Sequence, residues 1–210
     1  MTKINPFALI LVLVTISLLG FCVENIFISF SVGYMDNRNM VLPFLWGYGL
    51  AVFGIILLFG TPSSPLFFGK AMKLPSNVLK TLYYFSVAFI CVCVGEIILG
   101  YVIQYTCDII WWDYTRIPLH LTRYTSVPTS FGFAAMITFF MKYCFYPLLS
   151  FYSKMHPQAL RVIAISFAVM LSVDMLNSLL YMISNHDVLK IWRISLKKAT
   201  KKLLIKNLYK

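Results

Sequence analysis

Residues 79–103, LKTLYYFSVAFICVCVGEIILGYVI, form an apolar run that is long enough to cross a lipid bilayer. A spanning helix needs about 20 predominantly apolar residues, and this run exceeds that length. It contains one carboxylate, Glu96. A charge in the hydrocarbon costs at least about 2.5 kcal/mol, so acids inside spans are rare and are usually paired, protonated or functional. The run therefore predicts a membrane-spanning helix that carries a polar site.

Four other runs reach the same length, so the sequence predicts about five transmembrane helices. These runs cover residues 6–30, 41–60, 130–151 and 159–183. Helices are expected because a helix satisfies its backbone hydrogen bonds within one segment, and no run alternates like a barrel strand. The first run is too long for a cleaved signal peptide and contains Glu24, so we interpret it as a retained span. The predicted fold is an all-α, polytopic helical membrane protein.

The composition excludes a separate soluble domain. The chain has 210 residues, of which 60% are hydrophobic and 12% charged, whereas soluble domains are about 25% charged. We therefore predict one transmembrane domain over residues 1–189. No GxxxxGK[ST] loop is present, so an ATPase, if one is used, must be a separate subunit. The sequence shows no metal-ligand cluster and indicates no cofactor.

The C-terminal residues 190–210 form a basic tail that contains eight of the 18 Lys and Arg residues. Trp192 begins an apolar stripe at helical spacing, so we predict an amphipathic helix on a membrane surface. Its predicted contacts are with anionic lipids, and nucleic acid is not expected as a partner. The alternative is a disordered lysine tail. The residues expected at the surface are Trp192, Lys197, Lys198, Lys201 and Lys202.

The distribution of loop charges predicts the orientation of the chain. With five spans, eleven basic residues share the side of the tail and six lie on the other side. The positive-inside rule then predicts a multi-pass protein of the cell membrane with a cytoplasmic tail. A sixth crossing, or a re-entrant segment between Pro118 and Pro128, would change this parity and stays open as an alternative.

The acids of separate runs are expected to meet at one leaflet. Glu24 and Glu96 should lie roughly 10 Å below the same surface at 1.5 Å per residue, and Asp174 should lie near the midplane. The loops at that surface carry the other candidates. These candidate ligand-binding or ion-pair residues are Arg38, Asp113, Arg116 and His120.

Two interpretations of this polar group remain open. The acids either form a structural network that fixes the helices, or they line a cavity that binds a solute, lipid headgroup, ion or proton. Asp113 follows two tryptophans that are typical interfacial anchors. It is expected to cap the following turn, to pair with Arg116, or to hold a cationic group.

Several short motifs over residues 16–135, and more weakly one in the last run, resemble those of a known family. The third run carries E-x-x-x-G, here Glu96 and Gly100. The other motifs are G-W-x-x-E (here Gly20 to Glu24), Asn-Arg (Asn37 and Arg38), P-I-Y-G-F-G (Phe44 to Gly49), W-W-D-Y-S (Trp111 to Thr115) and a final-span Asp (Asp174). Together they resemble the family of putative ABC-transporter type IV (CmpB-like) membrane proteins. The resemblance implies a multispanning fold and a transporter permease.

The chain departs from the family pattern at four positions. A glycine of the family is Asn39 here, and a second acid late in the third span is Gln104. An Asn is replaced by His120, and another glycine by Arg123. A site that needs the second acid or that Asn would be altered in this chain.

These observations lead to three functional hypotheses. The first is a permease-like or accessory transport subunit in which Glu24 and Glu96 bear charge or protons, Arg38 is their counter-ion and Asp113 lies at the mouth. The second is an intramembrane enzyme that acts on a lipid-like substrate through the acids. The third is a structural or regulatory membrane partner, and in all three the bilayer surrounds the chain.

Overall fold

The computed structural model describes residues 4–195, and most of them are helical. The helices are α1 (Pro6–Ser31), α2 (Trp46–Phe59), α3 (Asn77–Cys107), α4 (Val127–Phe139), α5 (Phe145–Ser153) and α6 (Pro157–Asn185). The strands are β1 (Tyr34–Asp36), β2 (Gly60–Thr61), β3 (Ser64–Phe67), β4 (Lys70–Ala71) and β5 (Arg193–Ser195). The predicted all-α membrane fold is confirmed, with small sheets added to it.

Four helical segments are long and apolar enough to cross a membrane. They are α1, α3, the continuous segment Val127–Ser153 and α6. The predicted second span is shorter than expected, because α2 has only 14 residues and reaches about 21 Å of the roughly 30 Å of hydrocarbon. The count of five spans is therefore not confirmed.

The long helices begin where side chains can bind their free backbone N–H groups. Asn5 accepts hydrogen bonds from the backbone N–H groups of Phe7 and Ala8 at the start of α1. Ser76 and Ser126 bind the third N–H of α3 and α4 in the same way. Such caps satisfy donors that have no partner inside the helix.

The segment between α4 and α5 widens into a π turn, Phe140–Cys144. Pro147 lies in the next turn and has no N–H to bind the carbonyl four residues earlier. Turns of this kind occur inside otherwise regular helices. The chain therefore continues as one membrane-spanning segment from Val127 to Ser153.

Helix α1 lies at the centre of the bundle. In the most apolar 18-residue stretch of α1, 44% of the residues are buried. The corresponding share in the other three long segments is 22–28%. Side chains of α2, α3, α5 and α6 join α1 in the main hydrophobic core, where Val12, Tyr84, Phe145 and Leu160 are almost fully buried. The outer faces of the other long helices stay exposed and apolar, as lipid contact requires.

The predicted surface helix does not begin at Trp192. Residues Arg193–Ser195 form strand β5, which pairs antiparallel with β1. Trp192 packs edge-on against Phe21 of α1, with ring centroids 6.4 Å apart. A strand forms here because the backbone of β1 offers partners that a surface helix would not use. The remainder of the predicted helix, including Lys197, Lys198, Lys201 and Lys202, lies outside the described residues.

Candidate functional site

Glu24, Arg38 and Tyr48 form a saturated polar cluster beside the C-terminal part of α1. Arg38 donates from Nε to Oε2 of Glu24 at 2.8 Å, and its Nη2 lies 2.7 Å from the same oxygen. The Tyr48 hydroxyl donates to Oε1 of Glu24 at 2.6 Å. The Arg38 and Glu24 side chains are only 18% and 23% exposed. Both oxygens of Glu24 therefore have strong partners.

The glycine one turn before Glu24 makes room for the Tyr48 ring. A Cβ atom at Gly20 would lie 2.9 Å from Cγ of Tyr48, closer than real Cβ atoms approach other atoms. Residues four apart lie on the same face of a helix. The absence of a side chain at Gly20 therefore lets the Tyr48 ring pack on the helix face from which the Tyr48 hydroxyl reaches Glu24.

The charge of Arg38 is held firmly by its surroundings. Burial lowers the pKa of Arg38, but the charge and hydrogen bond of Glu24 and the charge of Asp36 outweigh this and raise the pKa above its usual range. Asp36 lies 3.6 Å from Arg38 and 3.5 Å from Arg193, which reaches it from β5. The loop thus contributes a fixed cation to the site.

Glu96 of α3 has a different environment. Its Oε2 accepts hydrogen bonds from the hydroxyls of Thr125, at 2.7 Å, and Ser130, at 3.1 Å. Both of these side chains are fully buried. Within residues 4–195, no hydrogen bond reaches Oε1 of Glu96 and no basic side chain forms an ion pair with it. One carboxylate oxygen therefore remains open.

Tyr114 lies within the range of the charges of both glutamates. This residue lies in the loop between α3 and α4 and is partly buried. Burial raises the pKa of Tyr114, and the charges of Glu96 and Glu24 raise it further, while that of Arg38 lowers it. The charges of both acids and of the arginine therefore act on its hydroxyl group. Glu24, Arg38, Tyr48, Glu96 and Tyr114 form the candidate site.

Asp174 does not belong to this group. It is 7% exposed, and its two oxygens accept the backbone N–H groups of Val41 and Leu42, each at 2.9 Å. These residues were predicted to start the second span, but they form a loop that leads to α2. Asp174 therefore fastens this loop to α6.

We expect Asp174→Asn to destabilise the protein by about 2 kcal/mol, because Asp174 is buried and an amide there turns a donor towards one of the two N–H groups, which is left without its acceptor. Thermal unfolding in detergent would measure this loss. Asp187→Asn is the control, since Asp187 is exposed and binds Lys190 and the N–H of the adjacent Val188; its effect should stay within about 0.5 kcal/mol. Equal losses in the two variants would contradict the structural role of Asp174.

The remaining predicted residues lie at the exposed surface of the loop. Asp113 caps the turn by accepting the N–H of Thr115 at 2.8 Å, and it lies 3.4 Å from Arg123. The Thr115 hydrogen bonds lower the pKa of Asp113, and the charges of Arg123 and Arg116 add to this. Arg116 and His120 are exposed, and the His120 ring contacts only a nearby carbonyl in the same loop. They do not join the glutamates.

The candidate re-entrant stretch folds back against α3. Residues Tyr124, Thr125 and Ser126 are fully buried, and Thr125 reaches Glu96. Sequence reasoning did not single out Tyr48, Tyr114, Thr125 or Ser130 as partners of the acids. Hydroxyl donors follow no periodic pattern; Tyr48 and Tyr114 lie in motifs that were recognised, but nothing in the sequence marked Thr125 or Ser130 as a partner of an acid. Within the described part of the chain, no group of three or more His, Cys, Asp or Glu side chains could hold a metal ion.

Comparison with known proteins supports the motif resemblance. No curated protein and no solved structure gave a significant match. A family model described as "Putative ABC-transporter type IV" matches residues 11–179, which include all of the candidate site. The match covers most of the chain, from α1 to the larger part of α6. The chain therefore belongs to the family of putative ABC-transporter type IV membrane proteins.

Proposed function

We propose that the chain is a permease-like or accessory subunit of a transporter, and that Glu96 is the group in its polar site that takes up a proton or a cationic group. The observation that carries this proposal is the open Oε1 of Glu96, which has no basic partner among the described residues. Acids inside membrane helices commonly mark ion or proton pathways.

The balance of charge supports the assignment of different roles to the two glutamates. Glu24 is neutralised by Arg38, and Asp36 is shared between Arg38 and Arg193. Glu96 adds a further negative charge, and among residues 4–195 only the hydroxyl dipoles of Thr125 and Ser130 stabilise it. In a medium of low dielectric constant, an uncompensated carboxylate attracts a proton or another cation. Glu24 then has a structural role and Glu96 the exchanging one.

Carbodiimide labelling of the purified full-length protein tests this assignment, because carbodiimides modify protonated carboxyl groups in apolar surroundings. We expect modification at Glu96 to be at least about tenfold faster than at Glu24, because both oxygens of Glu24 are already bound by Arg38 and Tyr48. Mass spectrometry of the digested protein would locate the label, and Glu96→Gln should remove it. An unmodified Glu96, or equal labelling of both glutamates, would overturn the proposed role.

The transporter part of the proposal requires a partner, because the chain has no nucleotide-binding loop of its own. The family description is compatible with a separate ATPase subunit. Affinity purification of the tagged chain from its native membrane should bring down an ATPase in a stable ratio. A preparation that is pure, intact and free of ATPase would remove the ABC-transporter part and leave the Glu96 assignment to its own test.

We also propose that the basic tail binds anionic lipid at the cytoplasmic face. Strand β5 fixes the start of the tail beside Asp36 and Trp192. Basic residues near an anionic surface contribute about 1 kcal/mol each, and salt screens the attraction.

In nanodiscs of anionic lipid we expect the bonds after Lys197, Lys198, Lys201 and Lys202 to be cleaved by trypsin several-fold more slowly than in zwitterionic nanodiscs. Molar salt should remove the difference, because the attraction is electrostatic. Equal cleavage rates in the two lipids at low salt would contradict lipid binding by the tail.

A further inference from the structure

Two helical hairpins on the site side of the molecule contain the same arrangement of glycine, tyrosine and a polar side chain. In α1 and α2, the Tyr48 ring lies on Gly20 and its hydroxyl binds Glu24, four residues later. In α3 and the loop before α4, the Tyr124 ring lies on Gly100 and its hydroxyl donates to Gln104, again four residues later.

The second arrangement holds its tyrosine more tightly than the first. A Cβ atom at Gly100 would overlap Cγ of Tyr124, and the tyrosine is fully buried. Trp112 donates from Nε1 to the Tyr124 carbonyl at 2.8 Å and packs edge-on against its ring. Tyr101 packs against the ring in the same manner, with centroids 5.2 Å apart. We call Gly100, Gln104, Trp112 and Tyr124 the Tyr124 anchor.

The two hairpins differ in the residue that reaches the acid. Tyr48 is itself a donor to Glu24. Tyr124 instead binds the uncharged Gln104. Glu96 accepts from Thr125, the neighbour of Tyr124, and from Ser130. Thr125 lies in an irregular loop just before α4, where its hydroxyl is 2.9 Å from that of Ser130 and its carbonyl accepts the N–H of Leu121. The anchored Tyr124 holds the loop immediately before this residue, so displacing Tyr124 should shift the Thr125 hydroxyl.

We infer that the Tyr124 anchor is a positioning device that holds the Thr125 hydroxyl on Glu96 and so controls how readily Glu96 takes up a proton. This inference rests on the proposed role of Glu96. A hydroxyl that donates to a carboxylate favours the charged form. Displacing the anchor should remove this donor without touching the carboxylate.

The test compares Gly100→Ala with Gly95→Ala in the full-length protein. Both glycines lie in α3, but a Cβ atom at Gly95 would have no neighbour within 4 Å. The readout is the rate of carbodiimide modification of Glu96 at neutral pH. We expect Gly100→Ala to raise the rate about tenfold, as expected for the loss of one hydrogen bond to a charged group, and Gly95→Ala to leave it unchanged.

A double-mutant cycle separates positioning from general loosening. Thr125→Val keeps the side-chain volume and removes the donor, so it should raise the rate as much as Gly100→Ala does. The double variant Gly100→Ala/Thr125→Val should be no faster than Thr125→Val alone, because both changes remove the same hydrogen bond. If the two rate increases multiplied in the double variant, the inference would be overturned.

If Gly100→Ala does not fold, Tyr124→Phe provides the same comparison, with exposed Tyr105→Phe as its control. It removes only the hydroxyl that binds Gln104, so we expect a smaller increase of two- to threefold. An unchanged rate would overturn the inference. If carbodiimide did not label Glu96 in the protein without substitutions, the proposed function would be overturned instead.

Discussion

Replacing Arg38 with methionine is expected to destabilise the protein by about 3 kcal/mol, because it leaves the half-buried Glu24 without its counter-charge. Methionine keeps much of the length of the arginine side chain and its apolar contacts. The loss should appear as a lower midpoint of thermal unfolding in detergent. The double variant Glu24→Gln/Arg38→Met should recover part of the loss, since it removes both charges together.

The exposed ion pair of Asp113 and Arg123 is the matched control for this experiment. Its side chains are 41% and 43% exposed, so Arg123→Met should cost no more than about 1 kcal/mol. If Arg38→Met cost as little as Arg123→Met, Glu24 would not depend on Arg38. If the double variant were less stable than Arg38→Met alone, unpaired charge would not be the cause of the loss.

Gly49→Ala is expected to destabilise the protein by about 2 kcal/mol, whereas Gly47→Ala should be neutral or slightly stabilising. A Cβ atom at Gly49 would lie 2.7 Å from Oγ of Ser17 and 2.8 Å from the backbone oxygen of Leu13. The backbone of α1 cannot move aside as a flexible side chain can, so α2 would be pushed away from α1, at the cost typical of overpacking. Thermal unfolding of the two variants measures the difference.

Gly47 is the control because it lies two residues earlier in the same helix and a Cβ atom there would have no neighbour within 4 Å. Alanine is about 1 kcal/mol more favourable than glycine in a helix interior. Gly47 lies in the first turn of α2, so any change there should be a smaller gain. Similar losses at both positions would show that α2 does not need close contact with α1. Close contact with α1 would then not be what brings Tyr48 of α2 to Glu24.

The sequence predicted one polar site built from acids of separate helices. Span parity predicted Glu24 and Glu96 at one surface, and this stays a prediction because the count of five spans is not confirmed. The sequence also predicted Arg38 as a counter-ion, and in the structure Arg38 binds Glu24. It grouped Asp174 with these acids, but Asp174 binds two backbone N–H groups of the loop before α2. Depth along a helix can be counted from residue numbers, whereas the direction that a side chain faces depends on helix rotation.

The predicted second span and the predicted tail helix both differ from the structure. Residues 41–60 are apolar enough for a span, but their first residues are bound by Asp174 and only Trp46–Phe59 is helical. At the tail, Arg193–Ser195 pairs with β1, and Asn37 and Asn39 bind the preceding segment through Leu189 and Ile191. Such long-range partners outweigh local periodicity. Inspection of a short stretch of sequence cannot detect them, because they lie far away along the chain.

The sequence alone determined that this chain is a helical membrane protein, because length and apolarity act along each segment and a helix satisfies its own backbone. Only the tertiary structure decided that Glu24 is saturated and that Glu96 keeps an open oxygen. That difference depends on which hydroxyls and cations the folded loops bring to each acid. Those donors come from distant positions and follow no periodic pattern, so packing alone assigns them.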